Sequence, residues 1–278
     1  MLDYREIYQK EHLENGLTYS QIREKYNIPR GTWDYWVRKK FNLKSDKRKH
    51  RANDTFFSII DTEEKAYLLG FLYADGYLAN DGRMGCRLTI DDIEIIKLIQ
   101  KYIAINSPIE YTNNQNFKRR PQVSIRWKSK QMYQDLINLG FCVDKTHTDS
   151  KVFKLIPEEL KKHFLRGYCD GDGNVRFSLV KNEKWYKCAI TFSNGSKQIL
   201  SDIQDWLHNN YKCTGILYNH NTYFILSYEK ALDAAIIAKI LYTDAKIYLT
   251  RKYNNAISMV NYRTNTELTG KGKKFLVV

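Results

Sequence analysis

Two segments of the chain follow one nine-residue pattern, and each ends in an aspartate set between small residues. The first is Leu68 to Gly76, L-L-G-F-L-Y-A-D-G; the second is Leu165 to Gly173, L-R-G-Y-C-D-G-D-G. Their last aspartates, Asp75 and Asp172, lie about a hundred residues apart, the length of one small domain. A pattern recurring at that distance suits one α/β unit used twice, with its copies facing each other across a pseudo-symmetric interface. In each copy a glycine and a small residue stand four apart, Gly70 with Ala74 and Gly167 with Gly171. Positions i and i+4 share a helix face, so these pairs let two backbones approach closely. Glycine within a helix costs about 1 kcal/mol relative to alanine, so a packing contact has to offset it. Each helix then ends at Asp-Gly, and Asp75 and Asp172 come to lie side by side. Two ionised carboxylates that close repel unless they share a proton or bind cations. A carboxylate pair holding divalent metal is what hydrolysis of a phosphodiester needs.

The charge points to the same chemistry. A formal net charge of +14 asks for a polyanionic partner, and nucleic acid is the commonest. Hydrophobic residues at 43% exclude a disordered chain. No stretch approaches the roughly 18 uncharged apolar residues of a membrane span, so no membrane partner is expected. The residues after Met1 lack the apolar core of a signal peptide, and a cytoplasmic location is expected. The five cysteines are far apart without a C-x-x-C, which reads as reduced thiols rather than a disulfide frame or a zinc site.

Residues 1–42 read as a small all-α unit. Tyr4, Ile7 and Tyr8 share a helical face, and Gly16 is placed to stop that helix. Thr18 with Gln21 makes a capping box opening a second helix, with Ile22 and Tyr26 inward. Asn27 tolerates the left-handed conformation of a tight turn, and Pro29 suits the first turn of a third helix. That helix buries Trp33, Trp36 and Val37 and exposes Arg30, Tyr35, Arg38 and Lys39. The stretch T-Y-S-Q-I-R-E-K-Y-N-I-P-R-G-T-W-D-Y-W resembles a helix-turn-helix DNA-binding module, with Arg23 and Asn27 where a small residue and a glycine are usual. A basic linker follows at 43–54, with Lys47, Arg48, Lys49 and Arg51 able to run along phosphates.

Residues 55–150 and 151–262 then repeat one order of elements: a motif helix, a hairpin, a helix, a second hairpin, and one or more helices. The intervening helices are expected over 91–103, 128–139, 196–207 and 231–241, with a final one through Leu249 to Val260 and a tail over 263–278. Strands follow from period-two alternation. Cys86, Leu88 and Ile90 alternate with Arg87 and Thr89; Val123, Ile125 and Trp127 alternate with Gln122, Ser124, Arg126 and Lys128. In the second unit Val175, Phe177 and Leu179 alternate with Arg176 and Ser178, while Cys188, Ile190 and Phe192 alternate with Lys187, Ala189 and Thr191. One face of each sheet is therefore apolar and the other basic and polar. Arg87, Gln122, Ser124, Arg126, Arg176, Ser178 and Lys187 are the candidate DNA contacts of those outer faces.

The paired motif resembles the LAGLIDADG homing endonuclease family in its single-chain, two-motif form, over roughly residues 55–262. The resemblance implies an α+β fold of two pseudo-symmetric αββαββα halves, whose antiparallel strands form a saddle over double-stranded DNA with a long specific target site. It implies that Asp75 and Asp172 hold the catalytic divalent metals, Mg²⁺ or Mn²⁺, and that both strands are cut. It also implies a basic residue near each metal, at the end of the last strand of each half: Lys128 in the first, Tyr228 or Lys230 in the second. The family's polar second-strand residues fall around Asp91 and Asn194. Asp170, in the sixth motif place where the first motif has Tyr73, reads as a packing or capping group.

No splicing residues stand at the ends of the sequence, which favours a free-standing or intron-encoded enzyme, monomeric because both halves share one chain. Two other readings of the same scaffold remain open, a non-cleaving transcription regulator and a maturase acting on intron RNA.

Overall fold

A computed structural model of the chain describes residues 3–15, 17–41, 52–112, 120–143, 151–181, 183 and 185–268. It divides into two compact units: Met1–Phe56 with Asp81–Tyr133, and Phe57–Asn80 with Gln134–Val278.

The first unit opens with helix α1 (Tyr4–Ile7), which runs on as a wider π-helical turn over Tyr8–Glu14. Asp3 caps it, its carboxylate accepting from the amides of Arg5 and Glu6 at 2.9 and 3.1 Å. The capping box before α2 (Tyr19–Lys25) is present: the Gln21 amide donates to Thr18 Oγ1, and the Thr18 amide donates back to Gln21 Oε1. Asn27 takes the left-handed turn with φ 49°. Pro29 sits one place earlier than expected, as the extended N-cap of α3 (Arg30–Trp33), which continues as a π-helical segment over Asp34–Lys40. Ile7, Tyr8, Ile22, Ile28, Trp33 and Val37 form one core. Trp36 is only half-buried, because its ring stacks on Tyr4 at the rim, 5.5 Å between centroids. Gly16 and most of the basic linker, Arg48 included, lie outside the described residues.

Helix α4 (Glu63–Asp75) and strand β1 (Gly76–Leu78) belong to the second unit. Strand β2 (Arg83–Thr89) returns to the first, where a short 3-10 turn over Ile90–Asp92 leads into α5 (Ile93–Tyr102). The turn takes Ile90 and Asp91 out of their expected strand and helix. Strands β3 (Glu110–Thr112) and β4 (Gln122–Lys128) follow, β4 pairing antiparallel with both β2 and β3. Cys86, Leu88, Val123, Ile125 and Trp127 are buried on one face of this ladder, and α5 packs there through Ile95, Ile96 and Ile99. Helix α6 (Lys130–Asn138) comes next.

The rest of the second unit comprises α7 (Val152–Leu155), α8 (Lys161–Asp172), β5 (Gly173–Leu179), β6 (Tyr186–Asn194), α9 (Lys197–Tyr211), β7 (Ile216–His220), β8 (Tyr223–Tyr228), α10 (Ala231–Tyr242) and α11 (Thr250–Leu268). The strand orders β1-β2-β4-β3 and β5-β6-β8-β7 are one topology used twice, all antiparallel where paired. This is the expected two-half α+β architecture. Helix α11 extends beyond the expected Val260, where Tyr262 packs its ring against Phe177 and Tyr186. Leu179, expected on the covered face, is 56% exposed because it lies at the open end of β5. Among the described residues no helix is long and apolar enough to cross a membrane.

Candidate active site

The motif helices α4 and α8 pack along each other, and the reason is visible in their glycines. Residues 66–73 of α4 and 164–170 of α8 are buried without a break, the mark of helices enclosed on every side. A methyl group on Gly70 would collide with the Phe164 carbonyl, and one on Gly167 with the Tyr67 carbonyl. Only glycine allows these backbones to touch. At the far end, a methyl group on Gly171 would strike the Ala74 side chain and come within 3.2 Å of Asp75 Oδ2. The Asp75 carboxylate thus lies against the residue that precedes Asp172. Asp75 is half-buried and Asp172 exposed, each the last residue of its helix.

Beneath these ends runs a buried polar network that the sequence does not reveal. Asp170, 1% exposed, accepts hydrogen bonds from Tyr67 (2.8 Å), Tyr242 (2.6 Å) and the Leu249 amide (2.7 Å). Burial raises its carboxyl above the usual range, opposed by those donors. It therefore packs and caps, as its sixth motif place suggested. Arg166 donates to the Ile247 and Leu241 carbonyls, both at 2.9 Å, and pairs with Glu63 of α4 at 2.7 Å. Lys252 of α11, 4% exposed, donates to the carbonyls of Cys169, Asp170 and Gly173 at 2.7 Å and of Gly171 at 3.2 Å. It places a cation at the C-terminus of α8, where the helix dipole is negative. Burial pulls the Lys252 ammonium below its usual range, while neighbouring groups including Asp75 push it back up.

The expected strand-end residues stand where the sequence puts them, Lys128 closing β4 and Tyr228 closing β8 with Lys230 two residues on. Lys230 stands at the N-cap of α10 and donates to Thr214 Oγ1 at 2.8 Å; Thr214 in turn donates to Asp233. Tyr228, the last residue of β8, is buried under Gly215. Lys252 is the lysine that the structure brings to the end of α8. No local pattern marks it, because it reaches the motif from a helix far along the chain. Lys128 ends β4 in the first unit, half-exposed and 3.8 Å from Asp81. Asp91 is exposed and pairs with Arg120 at 2.8 Å. Asn194 donates to the Tyr168 hydroxyl at 2.9 Å and caps Ser196. That hydroxyl donates to the Ser193 carbonyl, and Ser193 Oγ donates to the Asp172 carbonyl at 2.8 Å. This chain of bonds ties the end of β6 to the end of α8.

Among the described residues there is no group of three or more His, Cys, Asp and Glu able to hold a metal. The donor set at the helix ends is two carboxylates, since Lys252 takes the neighbouring carbonyls. Hard oxygen donors in that number suit Mg²⁺, which keeps waters and takes further ligands from substrate phosphate. They do not suit a closed zinc site.

The candidate nucleic-acid contacts lie on three surfaces. Arg30, Tyr35 and Arg38 are exposed on the third N-terminal helix, with both arginines flanking Asp34 at 3.7 and 3.3 Å. Arg87 and Arg126 are exposed on the open face of the first sheet, Arg126 pairing with Glu110 at 2.5 Å, and Gln122 is half-buried. Ser124 shares that face but is covered, its neighbours Arg87 and Glu110 lying directly across the ladder. On the second sheet Arg176 is exposed and donates to the half-buried Ser178 at 3.2 Å, while Lys187 pairs with Glu229 at 3.4 Å.

Residues 159–255 match the model of the LAGLIDADG-like domain family. No curated protein matches the chain in sequence. Among solved structures, a mutant of I-SmaMI aligns with TM-score 0.50 at 10% identity, covering 76% of this chain and 94% of that one. The LAGLIDADG homing endonuclease I-GzeII in complex with its DNA target aligns at 0.49 and 13%, covering 74% and 91%. Full-length DUF199/WhiA from Thermatoga maritima aligns at 0.45 and 13%, covering 78% and 69%. At such identities the likeness concerns the fold alone. The match over residues 159–255, which takes in the second motif helix and the sheet that follows it, identifies a LAGLIDADG-like domain in the second half of the chain.

Proposed function

We propose that the chain is a site-specific DNA endonuclease that hydrolyses both strands of a long duplex target with divalent metal held by Asp75 and Asp172. The observation that carries this reading is the glycine-mediated contact of α4 and α8, which sets the Asp75 carboxylate against Gly171 at the foot of Asp172. Two carboxylates brought close repel unless they share a proton or meet a cation, and a divalent ion would relieve that repulsion. Mg²⁺ or Mn²⁺ there would lower the pKa of a bound water and neutralise charge on the leaving oxygen. Asp75 and Asp172 orient that chemistry, and Lys252 fixes the backbone from which Asp172 projects. The exposed cations Arg87, Arg126 and Arg176 would hold phosphates and read base edges. Arg30, Tyr35 and Arg38 on the third N-terminal helix would extend the footprint as a helix-turn-helix module does.

The test is cleavage of the gene's own insertion-site DNA, or a random duplex library, with Mg²⁺ and with Ca²⁺. Asp75→Asn and Asp172→Asn should each abolish double-strand cutting while leaving DNA binding intact. Specific binding by the wild type without cutting in any divalent metal would overturn the nuclease reading and leave a regulator or a maturase.

A further inference from the structure

The open face of the second sheet changes character from one edge to the other. Strand pairing places Asn174, Thr191, Ser227 and Ile216 in one row across it, and Ser193, Ile225 and Tyr218 in the next. Tyr223 and His220 form the last pair, their rings stacked at 5.2 Å and 11°. The β5 and β6 side of this face is polar and cationic, with Asn174, Arg176, Ser178, Lys187, Thr191 and Ser193. The β7–β8 side is apolar and aromatic: Ile216 is 59% exposed, and Tyr218 and Tyr223 are each 43% exposed. Opposite them, Leu226 and Tyr228 are fully buried, so the apolar residues of the open face are not part of the core.

An edge ribbon carrying exposed isoleucine and tyrosine invites aggregation unless something covers it. The covering surface must also accept Arg176 on the same face, in a chain of net charge +14. A DNA major groove meets both demands. It admits a two-stranded ribbon, phosphates line its walls, and its floor has one apolar group, the C5 methyl of thymine. We infer that the β7–β8 hairpin reads thymine methyls through Ile216, Tyr218 and Tyr223, making the half-site under the second sheet thymine-rich. The first sheet provides the contrast. On β2 and β4 its open face carries Arg83, Arg87, Arg126 and Lys128, which suits guanine and phosphate.

The inference rests on DNA binding as proposed above, but not on cleavage. The experiment enriches duplexes from a random library with the full-length protein in Ca²⁺. Thymines of the selected duplex are then replaced by deoxyuridine one at a time, which removes only the methyl. Two or three positions should each weaken binding about fourfold, the effect of one buried carbon group. Ile216→Ser and Tyr218→Ser should lose that sensitivity at their own positions while keeping the response to guanine substitutions elsewhere. Because deoxyuridine is introduced against the wild-type protein, the central measurement does not depend on how a variant folds.

Unchanged affinity at every thymine would overturn the inference and leave the nuclease reading standing. Tighter binding of single-stranded RNA or DNA than of duplex would overturn it in favour of aromatic stacking on unpaired bases. Concentration-dependent self-association abolished by Ile216→Ser would reassign the hairpin to a second copy of the chain. Failure to enrich any duplex would sink both the inference and the reading on which it rests.

Discussion

Lys252 carries a charge into the interior and spends it on four backbone carbonyls at the end of a helix that stops in a carboxylate. Two needs meet in one side chain: the last turn of α8 has carbonyls without helical partners, and Asp172 needs a fixed backbone. Lys252→Met keeps the volume and removes the donors. The unfolding free energy should fall by about 2–3 kcal/mol for buried acceptors left unpaired, read from urea denaturation. Cleavage should fall further than that loss of stability explains at temperatures where the variant stays folded. Lys230→Met, which removes only an exposed donor to Thr214, should leave cutting close to wild type.

At the scale of the element, the pair α4 and α8 is specified by absence of side chain. Gly167→Ala places a methyl group on the Tyr67 carbonyl and Gly70→Ala one on the Phe164 carbonyl. Each should cost about 1–3 kcal/mol by overpacking, seen as a lower thermal midpoint. Ala74→Gly, at the loose end of the contact, should have a much smaller effect. The motif was legible in the sequence because its information is local: spacing, small residues and a terminal Asp-Gly lie within nine positions. Strand alternation was legible for the same reason, as were the Thr18 capping box and the Asn27 turn. What escaped was long-range. Arg166 and Asp170 look like polar intrusions in an apolar helix until the end of α10 provides Leu241 and Tyr242, and the segment leading into α11 provides Ile247 and Leu249, around them. Lys252 carries no local mark because the residue it serves lies in another element, whereas Tyr228 and Lys230 stand at or near a strand end. Ser124 lies on the outward face that alternation gives it but is covered there, because alternation fixes the face of a residue, not what its neighbours cover.

For the whole molecule, the buried Glu11 and the half-buried His163 carry large shifts that shape the response to acid. Glu11 is held well below the usual range, at about 2, first by hydrogen bonds from Lys25 and Tyr26. Its depressed value means that the unfolded chain binds the proton first, so stability is lost as pH falls from 4.5 toward 2. His163 is depressed from 6.5 to about 4, by burial first and by Arg166 second. The folded state again resists protonation, so stability is lost as pH falls from 6.5 toward 4. Urea midpoints across pH should therefore decline in two stages. His163→Gln should flatten the upper stage and leave the lower one, because Glu11 lies in the other compact unit. That division has a further consequence for how the gene can be cut. The unit that holds the second sheet is discontinuous, taking residues 57–80 with α4 and residues 134–150 from the first repeat and everything after them from the second. A fragment starting at residue 151 would keep α8 but leave Gly167 and the Asp170 network without Tyr67 and Glu63 to close them. Expressed alone it should be insoluble, or pair two α8 helices in a homodimer. Co-expressed with residues 1–150 it should return to solution as a complex, so the repeat boundary marks where the two copies were joined and not where the protein comes apart.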